Sequence, residues 1–242
     1  MQKKIVVHMY LKNGKAVTGF DGKELLEDGD VMSIAQHYSN NGADELLIFD
    51  LSDDDADHEQ SLNLIRQISR VIDIPMSGGG HIKNLEDVKK LLYAGCQQVF
   101  LNYAKAANIE LTEEVSKRFG KEKIAICTDS FAQLQANKAR VNEYTSRVIL
   151  LCDEVDVRTT ARLVEVPVLP VSTRADRHGL LKLLMLDNIC GVCGDTFSDL
   201  NEDLMAAKLE AKKHGVEINT FESKMSWNEL KLNSDGMIPV VV

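Results

Sequence analysis

The chain has 242 residues, 44% hydrophobic and 27% charged, with a formal net charge of −9, the balance of a folded globular protein long enough for one large domain or two small ones. The acidic surplus argues against a nucleic-acid partner, so any phosphate has to be met by local donors. No segment approaches about 18 consecutive apolar residues, which excludes a membrane-spanning helix, and the N-terminus reads as a first strand rather than a signal peptide.

Short apolar runs recur along the chain at 5–11, 45–51, 74–78, 98–102, 123–128, 147–152, 166–171 and 189–194. Near-continuous runs of this length suit strands buried on both faces, the habit of parallel sheets. Helical patterns fill most of the gaps. Val31, Ile34, Ala35 and Tyr38 share one helical face before Gly42, and Leu62, Ile65 and Ile68 share another. Gly78, Gly79 and Gly80 stand directly before a helix that opens near Leu85, with Asn84 and Asp87 spaced as a capping box. Three glycines ahead of a helix N-terminus read either as a tight packed turn or as an anion cradle. Thr112, followed by Glu113 and Glu114, is the predicted start of the next helix. Asp199 is the predicted cap of a later one that buries Leu200, Leu204 and Ala207 and ends before Gly215.

Eight strand–helix units in this length predict a (β/α)8 TIM barrel over residues 1–222, with an open doubly wound sheet as the competing architecture. The segments 41–50 and 94–102 both run from a small turn through a polar pair into an apolar strand, a faint internal repeat. Residues 223–242 differ. They hold the only tryptophan and an Asp235-Gly236 hairpin signal, and they stop inside an apolar run. A strand edge at a terminus predicts that the chain is the front part of a longer polypeptide. Cys96, Cys127, Cys152, Cys190 and Cys193 are read chiefly as core residues, and the Cys190–Cys193 pair lacks a second pair or matching histidines that would make a metal site. No cofactor or metal is expected, and a reducing cytoplasm is the expected compartment.

The opening KKIVVHMYLKNGKAVTGF and the stretch IPMSGGGHIKNLEDVKKLLYAGCQQVFLN resemble the histidine-biosynthesis barrels, the ribotide isomerase and the cyclase subunit of imidazole glycerol phosphate synthase. The likeness covers residues 3–215 and is strongest over 1–130. The tail at 226–242 resembles the beginning of phosphoribosyl-AMP cyclohydrolase. Together these imply a barrel in front of cyclohydrolase and pyrophosphatase domains.

The resemblance implies a general base and a general acid, both aspartates, at the ends of the first and fifth strands. Rearranging an aminoaldose needs one proton removed and one supplied. Asp129 matches the acid, whereas Tyr10 stands where the base is expected, and a phenol is mostly protonated at neutral pH. Asp50 matches a further family carboxylate beside the substrate, or caps its own loop. One implied phosphate site is half kept: Gly79, Gly80 and Asn102 match, while His81 and Tyr103 replace small residues. At the second, Ser172 and Thr173 replace two glycines, and Asp195 replaces a serine, which puts a carboxylate where a phosphate would sit. The sixth unit leaves little room for the family's long sixth loop.

The expected function is therefore a catalytically degenerate, regulatory barrel that binds a phosphorylated ribotide or a phosphate ion. An active isomerase or cyclase is the alternative, and a self-associating interaction module the third reading. The family's glutaminase partner is discounted, because the loss of ligand sites removes the reason to deliver ammonia.

Overall fold

The computed structural model describes residues 2–26, 30–153 and 155–220. The tail carrying the hairpin signal and the cyclohydrolase resemblance lies outside the described residues.

Eight parallel strands close into a barrel: β1 (Lys4–Lys12), β3 (Glu45–Asp50), β4 (Met76–Gly79), β5 (Gln98–Asn102), β6 (Ile124–Thr128), β7 (Arg147–Leu151), β8 (Val168–Ser172) and β9 (Gly191–Gly194). Each pairs with the next, and β9 returns to β1 in the register Lys4↔Gly191, Ile5↔Val192, Val6↔Cys193. Closure decides between the two predicted architectures, because an open sheet would leave β1 and β9 as edges. A ninth strand, β2 (Lys15–Val17), too short to stand out as an apolar run, folds back antiparallel on β1 around the left-handed pair Asn13-Gly14. Such a two-residue turn needs positive φ at both positions.

The helices pack outside. They include α1 (Val31–Asn40), α2 (Asp55–Ile68), α3 (Leu85–Tyr93), α4 (Ala106–Phe119), α5 (Phe131–Ala136), α6 (Lys138–Tyr144), α7 (Val157–Leu163), α8 (Arg177–Leu184), α9 (Asp195–Ser198) and α10 (Leu204–Lys213). The capping box on α3 forms as predicted, with the Asn84 and Asp87 side chains each accepting from the other residue's backbone.

Two helix starts differ from prediction. α4 begins at Ala106, a turn and a half before Thr112. Thr112 is instead buried in mid-helix, where its hydroxyl meets the Tyr103 hydroxyl at 3.0 Å. Its Oγ1 also donates to the Asn108 carbonyl, so a residue that looks like a cap is satisfied inside the helix. α10 begins after Asp203, whose carboxylate accepts from the Ala206 N–H, and Asp199 instead ends the short α9.

Side-chain alternation builds two cores. One fills the space between strands and helices, and the other fills the barrel lumen with Val6, Leu47, Ala125, Ile149, Leu169 and Cys193 below Tyr10, Phe49, Phe100 and Cys127. The N-terminal end of the lumen is closed by Glu45, which takes both terminal nitrogens of Arg147 and the Ser77 hydroxyl. The cysteines are free thiols. Burial pushes the Cys96 and Cys127 thiols up to about 12, as suits core residues.

Candidate functional site

The C-terminal mouth of the barrel gathers most of the predicted site residues, because side chains at strand ends and in the following turns converge there. A cavity of about 370 Å³ is lined by Asp50, Gly79, Gly80, His81, Asn102 and Asp129, together with Lys12, Lys105 and Phe49. Tyr10 and Asp195 line a second cavity of about 320 Å³ with His8, Tyr38 and Ser198. Ser172 lies beside a third, of about 530 Å³.

Asp129 follows β6 and is exposed at the mouth. It shares its cavity with two lysines, Lys12 and Lys105, and Lys12 also pairs with Asp53 at 3.0 Å. Tyr10 is different. It is 3% exposed, and its hydroxyl has no hydrogen-bond partner among the described residues. Its ring packs edge-on against His8 at 4.8 Å and Phe20 at 4.7 Å, and tilted against Phe49 at 5.4 Å. Burial first, then the negative charge of Asp195, pushes the phenol above its ordinary range. Tyr10 is thus a buried phenol set in an aromatic cluster.

Asp50 lies between Phe49 and Leu51, both of which pack in the lumen core, so alternation turns its carboxylate toward the helices. There it accepts from His58 Nδ1 on α2 and from the Ser52 N–H at 3.1 Å. His58 stacks on His81 with centroids 4.9 Å apart. His81 takes a left-handed backbone, φ 51°; its Nδ1 lies 3.1 Å from the Ser52 carbonyl and its Nε2 2.8 Å from the Asp55 carboxylate. Lys83 and His81 hold the Asp55 carboxyl down at about 2. Asp50 and His81 therefore bind the turns after β3 and β4 to each other.

The glycines have packing reasons of their own. A Cβ on Gly79 would enter the Phe100 ring, and one on Gly80, at φ 117°, would strike the Asp50 carbonyl. Asn102 accepts the Ala104 N–H at 2.9 Å and shapes the turn after β5. Tyr103 is buried against α4 and turned away from the mouth.

On the other side, Asp195 pairs with His8 Nε2 at 3.1 Å. His8 Nδ1 lies 3.2 Å from the Ser198 hydroxyl and 3.3 Å from Cys193 Sγ. Ser172 and Thr173 both hydrogen-bond to Asp153, in the turn after β7. Residues 152–156 alone join β7 to α7, so the sixth unit carries the short connection its sequence implies.

His8, His58 and Asp153 were missed by sequence reasoning. His8 and His58 carried a usable signal, as polar residues at positions whose neighbours are buried. Asp153 carried none, because its partner lies one strand away.

The sequence profile of the histidine biosynthesis protein family matches residues 4–187. The imidazole glycerol phosphate synthase subunit HisF of Flavobacterium psychrophilum is 33% identical over 130 residues, covering 54% of this chain and 52% of that protein. The same subunit from Haemophilus influenzae is 32% identical over 162 residues, 66% of this chain and 60% of its own length. That of Helicobacter hepaticus is 34% identical over 132 residues, 53% and 51% respectively. The chain spans about half the length of most of the curated relatives it matches. Among the described residues no helix is long and apolar enough to cross a membrane.

Proposed function

The chain belongs to the histidine biosynthesis protein family, and from that premise we propose that it is a catalytically silent barrel. In this reading it holds a phosphorylated ribotide or a phosphate ion near Gly79, Gly80 and Asn102, and serves as a non-catalytic, regulatory domain in front of cyclohydrolase and pyrophosphatase domains. The observation that carries the proposal is Tyr10. Proton transfer at the aminoaldose needs an acceptor at the end of β1, and a buried phenol whose pKa is raised does not accept a proton at neutral pH. Losing one of two transferring groups costs a factor of roughly 10²–10⁴. Asp50, the carboxylate the resemblance offers in its place, is engaged by His58 and Ser52.

One observation favours a second reading, an active isomerase or cyclase. Asp129 remains exposed in the same cavity as Lys12 and Lys105, within reach of a phosphorylated substrate that those lysines would hold.

A single assay separates the two. The purified protein and its Asp129→Asn variant are given the phosphorylated aminoaldose ribotide at high enzyme concentration. The silent barrel predicts no turnover above that of the variant. Turnover that disappears in Asp129→Asn would establish the active enzyme instead.

A further inference from the structure

His8 sits between Val6 and Tyr10 on the lumen face of β1 and is 4% exposed. The register Val6↔Cys193 sets it beside α9, where Asp195 and Ser198 are three residues apart and share a helical face. His8 bridges these two side chains. Its Nε2 is 3.1 Å from Asp195 Oδ1, and its Nδ1 is 3.2 Å from the Ser198 hydroxyl. In the neutral ring, a proton on Nε2 directed at Asp195 leaves the Nδ1 lone pair to accept from Ser198. The His8 N–H donates to the same hydroxyl at 2.9 Å and fixes its oxygen in place. Cys193 Sγ is also 3.3 Å from Nδ1, but it is fully buried. Burial first, then the Asp195 charge, raises the Cys193 pKa and keeps it a thiol.

His8, Asp195 and Ser198 all line the cavity of about 320 Å³. Val17, Leu26 and Tyr38 give it apolar walls. Among the described residues its lining holds the carboxylates Asp195 and Asp199 and no lysine or arginine, so an anionic ligand is repelled and an uncharged one is not. Tyr10 borders the same cavity, and its buried hydroxyl has no partner among the described residues. A hydroxyl, an imidazole and a carboxylate in series, with a free donor close by, are the parts of acyl transfer on any fold.

We propose that Ser198, His8 and Asp195 form an esterase site for small uncharged carboxylic esters. Ser198 Oγ bonds to the ester carbonyl carbon as its proton passes to His8 Nδ1, and the carbonyl oxygen takes up the negative charge and accepts from Tyr10. The carbon–oxygen bond to the alcohol then breaks, and His8 returns the proton to the departing oxygen. Water attacks the acyl-serine in the same way, giving a proton to His8. The carboxylic acid leaves, and Ser198 Oγ recovers the proton from His8. Asp195 is a positioning residue that holds the ring in the tautomer these steps need. None of them uses a proton acceptor at position 10, so they are independent of whether the barrel turns over an aminoaldose.

The test gives p-nitrophenyl acetate to the whole chain. Release of p-nitrophenolate is followed by absorbance, and the acetylated peptides are found by mass spectrometry after an acid quench. An acetyl group should appear on Ser198. The rate should fall by about 10²-fold or more in Ser198→Ala and in His8→Gln, and by about tenfold or more in Tyr10→Phe. Asp195→Asn should also slow it by about tenfold or more, and Asp195→Glu should restore most of that loss, which a purely structural role would not do.

Circular dichroism and the thermal midpoint confirm that each variant is folded, and Ser198→Ala decides the case if His8→Gln unfolds. A folded wild type that carries acetyl only on lysines or cysteines would overturn the proposal. So would a rate unchanged in folded Ser198→Ala. An unchanged rate in Tyr10→Phe would overturn the role given to that hydroxyl.

Discussion

Replacing Tyr10 by phenylalanine should stabilise the protein. The ring is 3% exposed and held by His8, Phe20 and Phe49, contacts that phenylalanine keeps. Only the hydroxyl is lost, and it has no partner among the described residues. A buried hydroxyl left without a partner costs roughly 1–3 kcal/mol, and the small void left by its oxygen returns part of that gain. The expected net gain is about 1–2 kcal/mol, or roughly 2–8 °C in Tm for a domain of this size. Urea unfolding with an unchanged m-value measures it directly. A loss of stability on Tyr10→Phe would mean that the hydroxyl is bonded in solution and reaches the mouth. The aromatic cluster would then no longer argue against proton transfer at this position.

Three further predictions concern the frame around the site. Arg147→Met leaves the Glu45 carboxylate buried without its main partner and should cost about 3–5 kcal/mol, whereas the Glu45→Leu, Arg147→Met pair should recover most of it; a double-mutant cycle by urea unfolding checks both, and a single-variant loss under about 1 kcal/mol would refute the assignment. Glu45 also predicts an acid transition. Burial opposes its charge, but Arg147 holds the carboxyl down from 4.5 to about 2, so its stabilising contribution is complete above the unfolded value and is lost as pH falls from about 4.5 through 2. Gly80→Ala forces a side chain into φ 117° and against the Asp50 carbonyl. Strain and overpacking together should cost roughly 2–6 kcal/mol, read as a lowered urea midpoint.

The eight strands were legible because buried parallel strands have a composition and length of their own, and the α3 capping box was legible because its two partners lie three residues apart. Thr112 and Asp199 misled for the opposite reason. Each has the chemistry of a cap, but α10 starts after another cap, Asp203, and α4 starts after Lys105 with no side-chain cap at all, so cap chemistry alone did not mark either start. The resemblance placed Tyr10, Asp129, Gly79, Gly80 and Asn102 at the ends of barrel strands, and that is where they lie.

The amino-acid order alone determined the alternation of strand and helix, since that is a local statement. The tertiary structure decided which way each side chain turns and what it meets. Asp50 faces the helices because a pleated strand sends alternate residues to opposite faces, and Phe49 and Leu51 take the lumen. Asp153 reaches Ser172 and Thr173, and Asp195 reaches His8 across the β9–β1 closure. Glu45 meets Arg147 at a separation of 102 residues. These pairings depend on strand register and barrel closure, which are fixed by the packing of the whole sheet and have no signature in any short stretch of sequence.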